Sequence, residues 1–257
     1  MGRLDDRVAV VTGGGRGIGR AIALEMARDG ATVVVTSRTQ EQLDEVVSQA
    51  KAVGSDSLAV VANAMTPEGA RAPVDAAIER YGRLDILVNN VGGGVGTRHD
   101  PFDHEDYAFT GTLVLNLTSP YWTTTAALPH MREAGFGRIL TIGSGYAKRS
   151  GGGLAYTSAK HGIIGFTRAL AASAAPYGIT VNCLCPGWTN TALVDWERIG
   201  AARGISAAQA RADSEAENLQ NRILEPEELG PMAALLAAPE SAGITGQVIS
   251  VDGGYKV

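Results

Sequence analysis

The sequence predicts an α/β fold: a single doubly wound parallel sheet of about seven strands with helices on both faces. Three observations carry that expectation. An apolar run, Val8-Ala9-Val10-Val11, leads into the glycine-rich Thr12-Gly13-Gly14-Gly15-Arg16-Gly17-Ile18-Gly19 and then into helix-forming residues from Arg20 to Arg28. Strand-length β-branched runs then alternate with amphipathic segments down the chain. No repeat, low-complexity tract or linker divides it, so residues 1–257 read as one dinucleotide-binding catalytic domain, long enough for a large core.

The first run reads as a buried strand and Arg20 to Arg28 as its helix, with Ile22, Leu24 and Met26 turned to the core. Ala31 to Thr36 is a second buried strand. A helix carrying Leu43, Val46 and Val47 precedes strand Leu58 to Val61. Helix Pro67 to Arg80 opens on a proline where a missing N–H costs little, and leads to strand Leu84 to Asn89. Asp103 to Arg132 reads as mainly helical. Strand Arg138 to Ile142, helix Thr157 to Ala175, strand Ile179 to Leu184, helix Glu227 to Leu236 and strand Gln247 to Val251 complete a Rossmann-type alternation. The stretch 188–225 has few apolar anchors and much Ala, Glu and Arg, which suits a mobile helical flap over a site, or a surface insertion.

Apolar residues at 45% and charged residues at 19% suit a soluble globular enzyme. A net charge of −5, with Lys and Arg scattered, argues against a nucleic-acid partner. Apolar runs fall short of a membrane span, and Met1 to Asp6 holds no apolar signal core, so a cytoplasmic location away from membranes is expected. Cys183 and Cys185, two apart in a strand-like run, read as buried thiols rather than a disulfide.

Strand, glycine turn and helix together form a phosphate cradle: N–H groups at the helix start meet a pyrophosphate, and glycines let the backbone approach it. A second constellation is Tyr156-Thr157-Ser158-Ala159-Lys160. Residues four apart on a helix share a face, and a cation beside a phenol favours its phenolate, so the pair can move a proton to or from a carbonyl oxygen. A surface contact is the plainer reading of such a pair by itself.

The company these residues keep is specific. Thr12, Gly13, Gly17, Ile18 and Gly19, then Asn89-Asn90-Val91-Gly92, Tyr156 with Lys160, Pro186-Gly187, and the ending Thr245 to Gly254 follow one another in the order found in short-chain dehydrogenases/reductases. The chain resembles that family over almost its whole length, and within it members like the 3-oxoacyl carrier-protein reductases. The resemblance implies Tyr156 as general acid/base, Lys160 on the nicotinamide ribose, Ser144 on the substrate oxygen and Asn116 holding a water that joins Lys160 to a proton path. Ser144 lies twelve residues before Tyr156, where the family commonly has thirteen; Gly143 holds the usual spacing and has no hydroxyl. The resemblance also implies a homotetramer.

Cofactor choice follows from charge. An NAD(H) site needs an acid after the second strand for the ribose 2′-OH, and here Ser37-Arg38 stand there, with Arg16 in the glycine loop. Guanidinium grips a 2′-phosphate, so NADP(H) is expected over NAD(H). Asn63-Ala64 fall where the family contacts adenine, Asn90 and Gly92 belong to the Asn-Asn-x-Gly motif, and the Thr189 backbone and Thr191 hydroxyl would meet the carboxamide and phosphate.

His99, Asp100, Asp103, His104, Glu105 and Asp106 could ligate a metal, but Asp103 reads better as a helix cap with acids at the positive helix end, and no metal is expected. Arg98, Lys148 and Arg149 could draw an acidic or phosphorylated substrate to the pocket mouth, or be solvated loop charges. Gly92 to Gly96 and Gly151 to Gly153 could leave room for a ring or acyl chain, or be turns. The expected activity is NADP(H)-dependent interconversion of a ketone, or 3-oxoacyl group, and a secondary alcohol on a small-molecule substrate. An NAD-linked alcohol or diol dehydrogenase, and a non-catalytic dinucleotide sensor, are the alternatives.

Overall fold

The computed structural model describes residues 2–96, 99–100 and 102–256, with only the backbone of residues 99, 100, 103 and 104. Seven strands form one sheet, β1 (Val8–Thr12), β2 (Thr32–Ser37), β3 (Leu58–Val61), β4 (Ile86–Asn89), β7 (Gly137–Ile142), β8 (Ile179–Pro186) and β9 (Val248–Val251). Their order is β3-β2-β1-β4-β7-β8-β9 and every pairing is parallel. The order reverses between β1 and β4, and crevices at such a switch point are where sheets of this kind take ligands. The register sets Thr12 beside Thr36 and Val11 beside Val88, so the loops leaving β1, β2 and β4 emerge at one edge.

Alternate strand residues feed two cores, as the two-residue period of a sheet buried on both faces requires. On one face Val11, Val33, Val35, Val88 and Leu140 pack with Ile22 and Met26 of α1 (Gly17–Arg28), Leu43 and Val46 of α2 (Gln40–Ala52) and Ala233 of α9 (Gly230–Ala237). On the other, Val10, Val34, Leu87, Ile139 and Val181 meet Val74 of α3 (Pro67–Tyr81), Met131 of α5 (Ser119–Ala134) and Ala171 of α6 (Leu154–Ala174).

The structure departs from the expected elements where local hydrogen bonding overrides propensity. The stretch from Asp103 is not one helix. Asp103–His104 (β6) pairs antiparallel with His99–Asp100 (β5), α4 spans Asp106–Leu113, and a π-helical turn at Val114–Thr118 joins it to α5. Glu105, not Asp103, holds the N-cap position of α4. Pro120 offers no N–H to the carbonyl four residues back, and the Ser119 N–H reaches Val114 O, five back, which is the wider π spacing. Helix α6 begins at Leu154, three residues before the expected start, so Tyr156 and Lys160 both lie on it. Strand β8 runs on to Pro186, and Glu227 to Leu236 divides into a 3₁₀ turn, Pro226–Leu229, and α9. The segment 188–225 contains α7 (Trp196–Arg203) and α8 (Ala207–Glu215). Among the described residues, no helix is long and apolar enough to cross a membrane.

Asp85, just ahead of β4, ties the sheet's opposite edge. Its buried carboxylate accepts from the Val8 N–H at 2.9 Å, from Arg7 Nη1 at 3.1 Å and from Arg83 Nε and Nη2 at 2.8 and 2.6 Å. Replacing it with Ala orphans a buried amide and leaves two guanidinium groups facing each other. With the arginines partly solvated, Asp85→Ala is expected to cost about 2–4 kcal/mol. In a chain of this size that lowers the melting temperature by roughly 5–15 °C in a thermal scan.

Candidate active site

The glycine loop is held by Asn90. Its Nδ2 donates to Thr12 O at 2.9 Å and Gly13 O at 3.2 Å, while the Thr12 hydroxyl accepts from the Asn90 and Val91 amides. Gly13 (φ 63°) and Gly17 (φ 53°) are in left-handed conformations that favour glycine. A Cβ on Gly19 would sit 2.3 Å from Gly13 O and 2.4 Å from Asn90 Nδ2, and one on Gly17 would sit 3.2 Å from Thr191 Cγ2. A Cβ on Gly15 would meet Ser37 Oγ at 3.0 Å, so the loops after β1 and β2 touch. This is a cradle that a side chain would fill, at a helix N-terminus, and it fits a dinucleotide pyrophosphate. Arg16 stands exposed at the N-cap of α1 and Arg38 exposed just past β2. Among the described residues neither is in an ion pair, and no acidic side chain occupies the position of Ser37-Arg38. The residues therefore fit a dinucleotide.

A cavity of about 870 Å³ opens beside the cradle. Of the sequence-predicted residues, Ile18, Ser144, Tyr156, Pro186, Gly187, Thr189 and Thr191 line it, and Arg16, Ser37, Arg38, Asn63, Ala64 and Asn90 do not. Asn63 caps the turn after β3, its side chain accepting from the Met65 N–H at 3.1 Å. Gly187 abuts Asp252, whose carbonyl would lie 2.8 Å from an added Cβ.

Tyr156 faces the cavity from the first turn of α6, and Lys160, one turn on, is buried with Nζ 5.6 Å from the Tyr156 ring centroid. That ammonium donates to Ile142 O at 2.7 Å, which fixes it beneath the end of β7. Asn116 sits on the π turn, donates to Gly93 O and Thr112 O at 2.7 and 2.8 Å, and accepts from the Gly93 N–H at 3.0 Å. A Cβ on Gly92 would lie 2.8 Å from Asn116 Oδ1 and 3.2 Å from Lys160 Nζ, so both polar groups lie against its bare backbone.

The one-residue shortening before Tyr156 has a physical account. A Cβ on Gly143 would strike Cys185 Sγ and Cys183 Sγ at 2.7 and 2.8 Å, so a side chain there would point into the sheet. Ser144 faces the cavity instead, accepting from the Tyr146 N–H at 3.2 Å and keeping its own O–H free to donate. The two thiols are free and buried 3.8 Å apart.

Several wall residues escaped the sequence reading. Tyr146, Trp188 and Tyr255 form an edge-to-face chain with both centroid separations at 6.1 Å, and Trp196 lies 5.6 Å from Trp188. Burial pushes the Tyr146 phenol up and that of Tyr255 up to about 12, so both remain neutral at physiological pH. Trp188 follows the Pro186-Gly187 turn, a placement that could have flagged it. Tyr255 and the α7 residues gave no such signal. Lys148 and Arg149 do not reach the cavity mouth: Lys148 donates to Ser250 Oγ at 2.7 Å, and Arg149 to Lys256 O at 2.9 Å. Arg98 and the side chains of His99, Asp100, Asp103 and His104 lie outside the described residues.

The roots of 188–225 are fastened together. Leu224 N–H donates to Trp188 O at 2.9 Å and Asn190 N–H to Leu224 O at 2.8 Å. Trp188 Nε1 donates to Glu217 at 2.7 Å, Glu217 pairs with Lys256 at 3.1 Å, and Asn218 bridges Tyr255. Across the second root, Arg222 grips Glu228 with two bonds of 2.6 Å.

A family model described as short chain dehydrogenase matches residues 7–201. The chain belongs to that family. It is 34% identical over 256 residues to the 3-oxoacyl-[acyl-carrier-protein] reductase FabG of Vibrio cholerae, covering 98% of each chain. It is 38% identical over 257 residues to the 2,3-dihydroxy-2,3-dihydro-p-cumate dehydrogenase of Pseudomonas putida, covering 98% of this chain and 95% of the relative. Among solved structures, levodione reductase superposes with a TM-score of 0.90 at 28% identity over 97% of each chain. The protein is a short-chain dehydrogenase/reductase, an oxidoreductase of a family that uses nicotinamide dinucleotides.

Gly19→Ala is expected to weaken dinucleotide binding about tenfold or more in a fluorescence titration, because both groups its Cβ meets are fixed. A second expectation concerns acid. The bidentate Arg222 contact holds the Glu228 carboxyl down at about 2, against an ordinary 4.5. A lowered folded-state value stabilises above pH 4.5, and that stabilisation is lost as pH falls from 4.5 toward 2. Glu228→Gln should therefore flatten the fall in melting temperature across that interval.

Proposed function

We propose that this protein is an NADP(H)-dependent oxidoreductase that interconverts a ketone, or 3-oxoacyl group, and a secondary alcohol, with Tyr156 as general acid/base. The observation that carries the reading is the placement of Tyr156 on the cavity wall with Lys160 buried one helical turn away. NADP(H), when bound, supplies hydride to a carbonyl carbon or accepts it from a carbinol carbon. Tyr156 gives its phenolic proton to the nascent alkoxide in reduction and takes the hydroxyl proton in oxidation. Ser144 donates to the same oxygen and stabilises the charge that gathers there. Lys160 holds the nicotinamide ribose and stands behind the phenol, and Asn116, anchored to Gly93, keeps a water in line for replacing the Tyr156 proton.

Gly13, Arg16, Gly17, Ile18 and Gly19 would hold the pyrophosphate, Asn63 and Ala64 the adenine, and Ser37 with Arg38 the 2′-phosphate. Asn90 and Gly92 keep the nicotinamide side of the cleft shaped, while Pro186, Gly187, Thr189 and Thr191 close over the carboxamide and phosphate. Residues 188–225 serve as the substrate-covering flap of a one-domain enzyme. By likeness to the family we also infer a cytoplasmic homotetramer.

The name of the Pseudomonas putida relative favours a second reading, an NAD-linked diol dehydrogenase on the same scaffold. Titrating both reduced cofactors separates the two. NADPH is expected to bind more tightly than NADH, and Arg38→Asp to weaken NADPH binding by about ten- to a hundredfold; tighter NADH binding by the wild type would establish the second reading. Tyr156→Phe should lower kcat by about 10²–10⁴-fold with NADPH affinity retained. Turnover that survives this change would overturn the mechanism.

A further inference from the structure

The aromatic wall and two arginines of the flap together describe what the cavity accepts. Arg198 and Arg203, exposed side chains of α7, line the cavity, and they are the only charged side chains that do so among the described residues. Neither is in an ion pair. Of the acids beside them on α7, the exposed Glu197 is in no ion pair among the described residues, and Asp195 spends its carboxylate on capping the helix, accepting from the Arg198 N–H at 3.0 Å. The same cavity is lined by Tyr146, Trp188 and Tyr255, whose rings pack edge to face. Two guanidinium groups in no ion pair, on a cavity with aromatic walls, match a flat ring that carries an anion at the end remote from its reacting carbon.

We infer that the substrate is a ring-bearing carbonyl or carbinol with a carboxylate, its ring lodged against Trp188 and Tyr255 and its carboxylate held by Arg198 and Arg203. The inference rests on the carbonyl–carbinol reading above for the chemistry, and on the cavity alone for the recognition. The arginines are substrate-binding groups, and their effect falls on KM.

The experiment compares 6-acetyl-2-naphthoate, its methyl ester and acetoacetyl-coenzyme A as substrates with NADPH, alongside calorimetric binding of the acid and the ester. The expected result is kcat/KM about tenfold or more higher for the acid than for the ester, expressed in KM and weakened by added salt. In the double variant Arg198→Gln, Arg203→Gln that ratio should fall to about one, and in the Lys, Lys pair it should partly return. Equal handling of acid and ester by the wild type, or a ratio untouched in the Gln pair, overturns the inference. Preference for acetoacetyl-coenzyme A over both ring ketones overturns the ring assignment. If none of the three is turned over, the carbonyl reading fails, and calorimetry still decides the cavity: acid-selective binding lost in the Gln pair sustains the inference, and equal binding ends it.

Discussion

The close approach of Gly13 and Gly19, clamped by Asn90, is the constraint on which the rest of this molecule depends. The Gly13 carbonyl lies where a Gly19 side chain would be, and Asn90 Nδ2 reaches across from the end of β4 to fasten the same turn. That one clamp joins β1 to β4 at the point where the strand order reverses. Its neighbours inherit their positions from it. Gly92 follows Asn90 by two residues, and both Asn116 and Lys160 lie against its bare Cα. The glycine loop and the Asn116 and Lys160 side chains are therefore parts of one tightly packed arrangement.

The contrast between the two sides of that arrangement is physical. On the cradle side the polar work is done by main chain, held in place by side chains such as Asn90 and Thr12. On the cavity side it is done by side chains, with Ser144, Tyr156 and the aromatic wall facing one space. Ser144 offers that space a free O–H, and among the described residues no carboxylate lines it.

Much of this was legible from residue order. Strands β1 to β4 read clearly because parallel strands buried on both faces are continuous apolar runs, and the glycine loop read clearly because only glycine permits its conformations. Tyr156 and Lys160 stood out through an ordered motif and Ser144 and Asn116 through the family resemblance alone, and the thiols beneath Gly143 explain why the hydroxyl stands at Ser144. What escaped depends on long-range packing. The π turn under Asn116 arises from a hydrogen-bond shift around Pro120 that no periodicity announces. Tyr255 is remote in sequence from Tyr146 and Trp188, and only the closed fold brings their rings together. The positive groups of the cavity wall belong to α7, whereas Lys148 and Arg149, which the sequence offered for the pocket mouth, turn toward Ser250 and Lys256.

The tail gives the architecture an unexpected dependency. Tyr255 is a wall of the substrate space, and Lys256 grips Glu217, which in turn anchors Trp188. Trimming these positions, or fusing bulk onto them, would leave both cores intact while changing which molecules the enzyme distinguishes. Variation at Tyr255 and Lys256 offers a route by which related chains could reshape this cavity without touching Ser144, Tyr156 or Lys160.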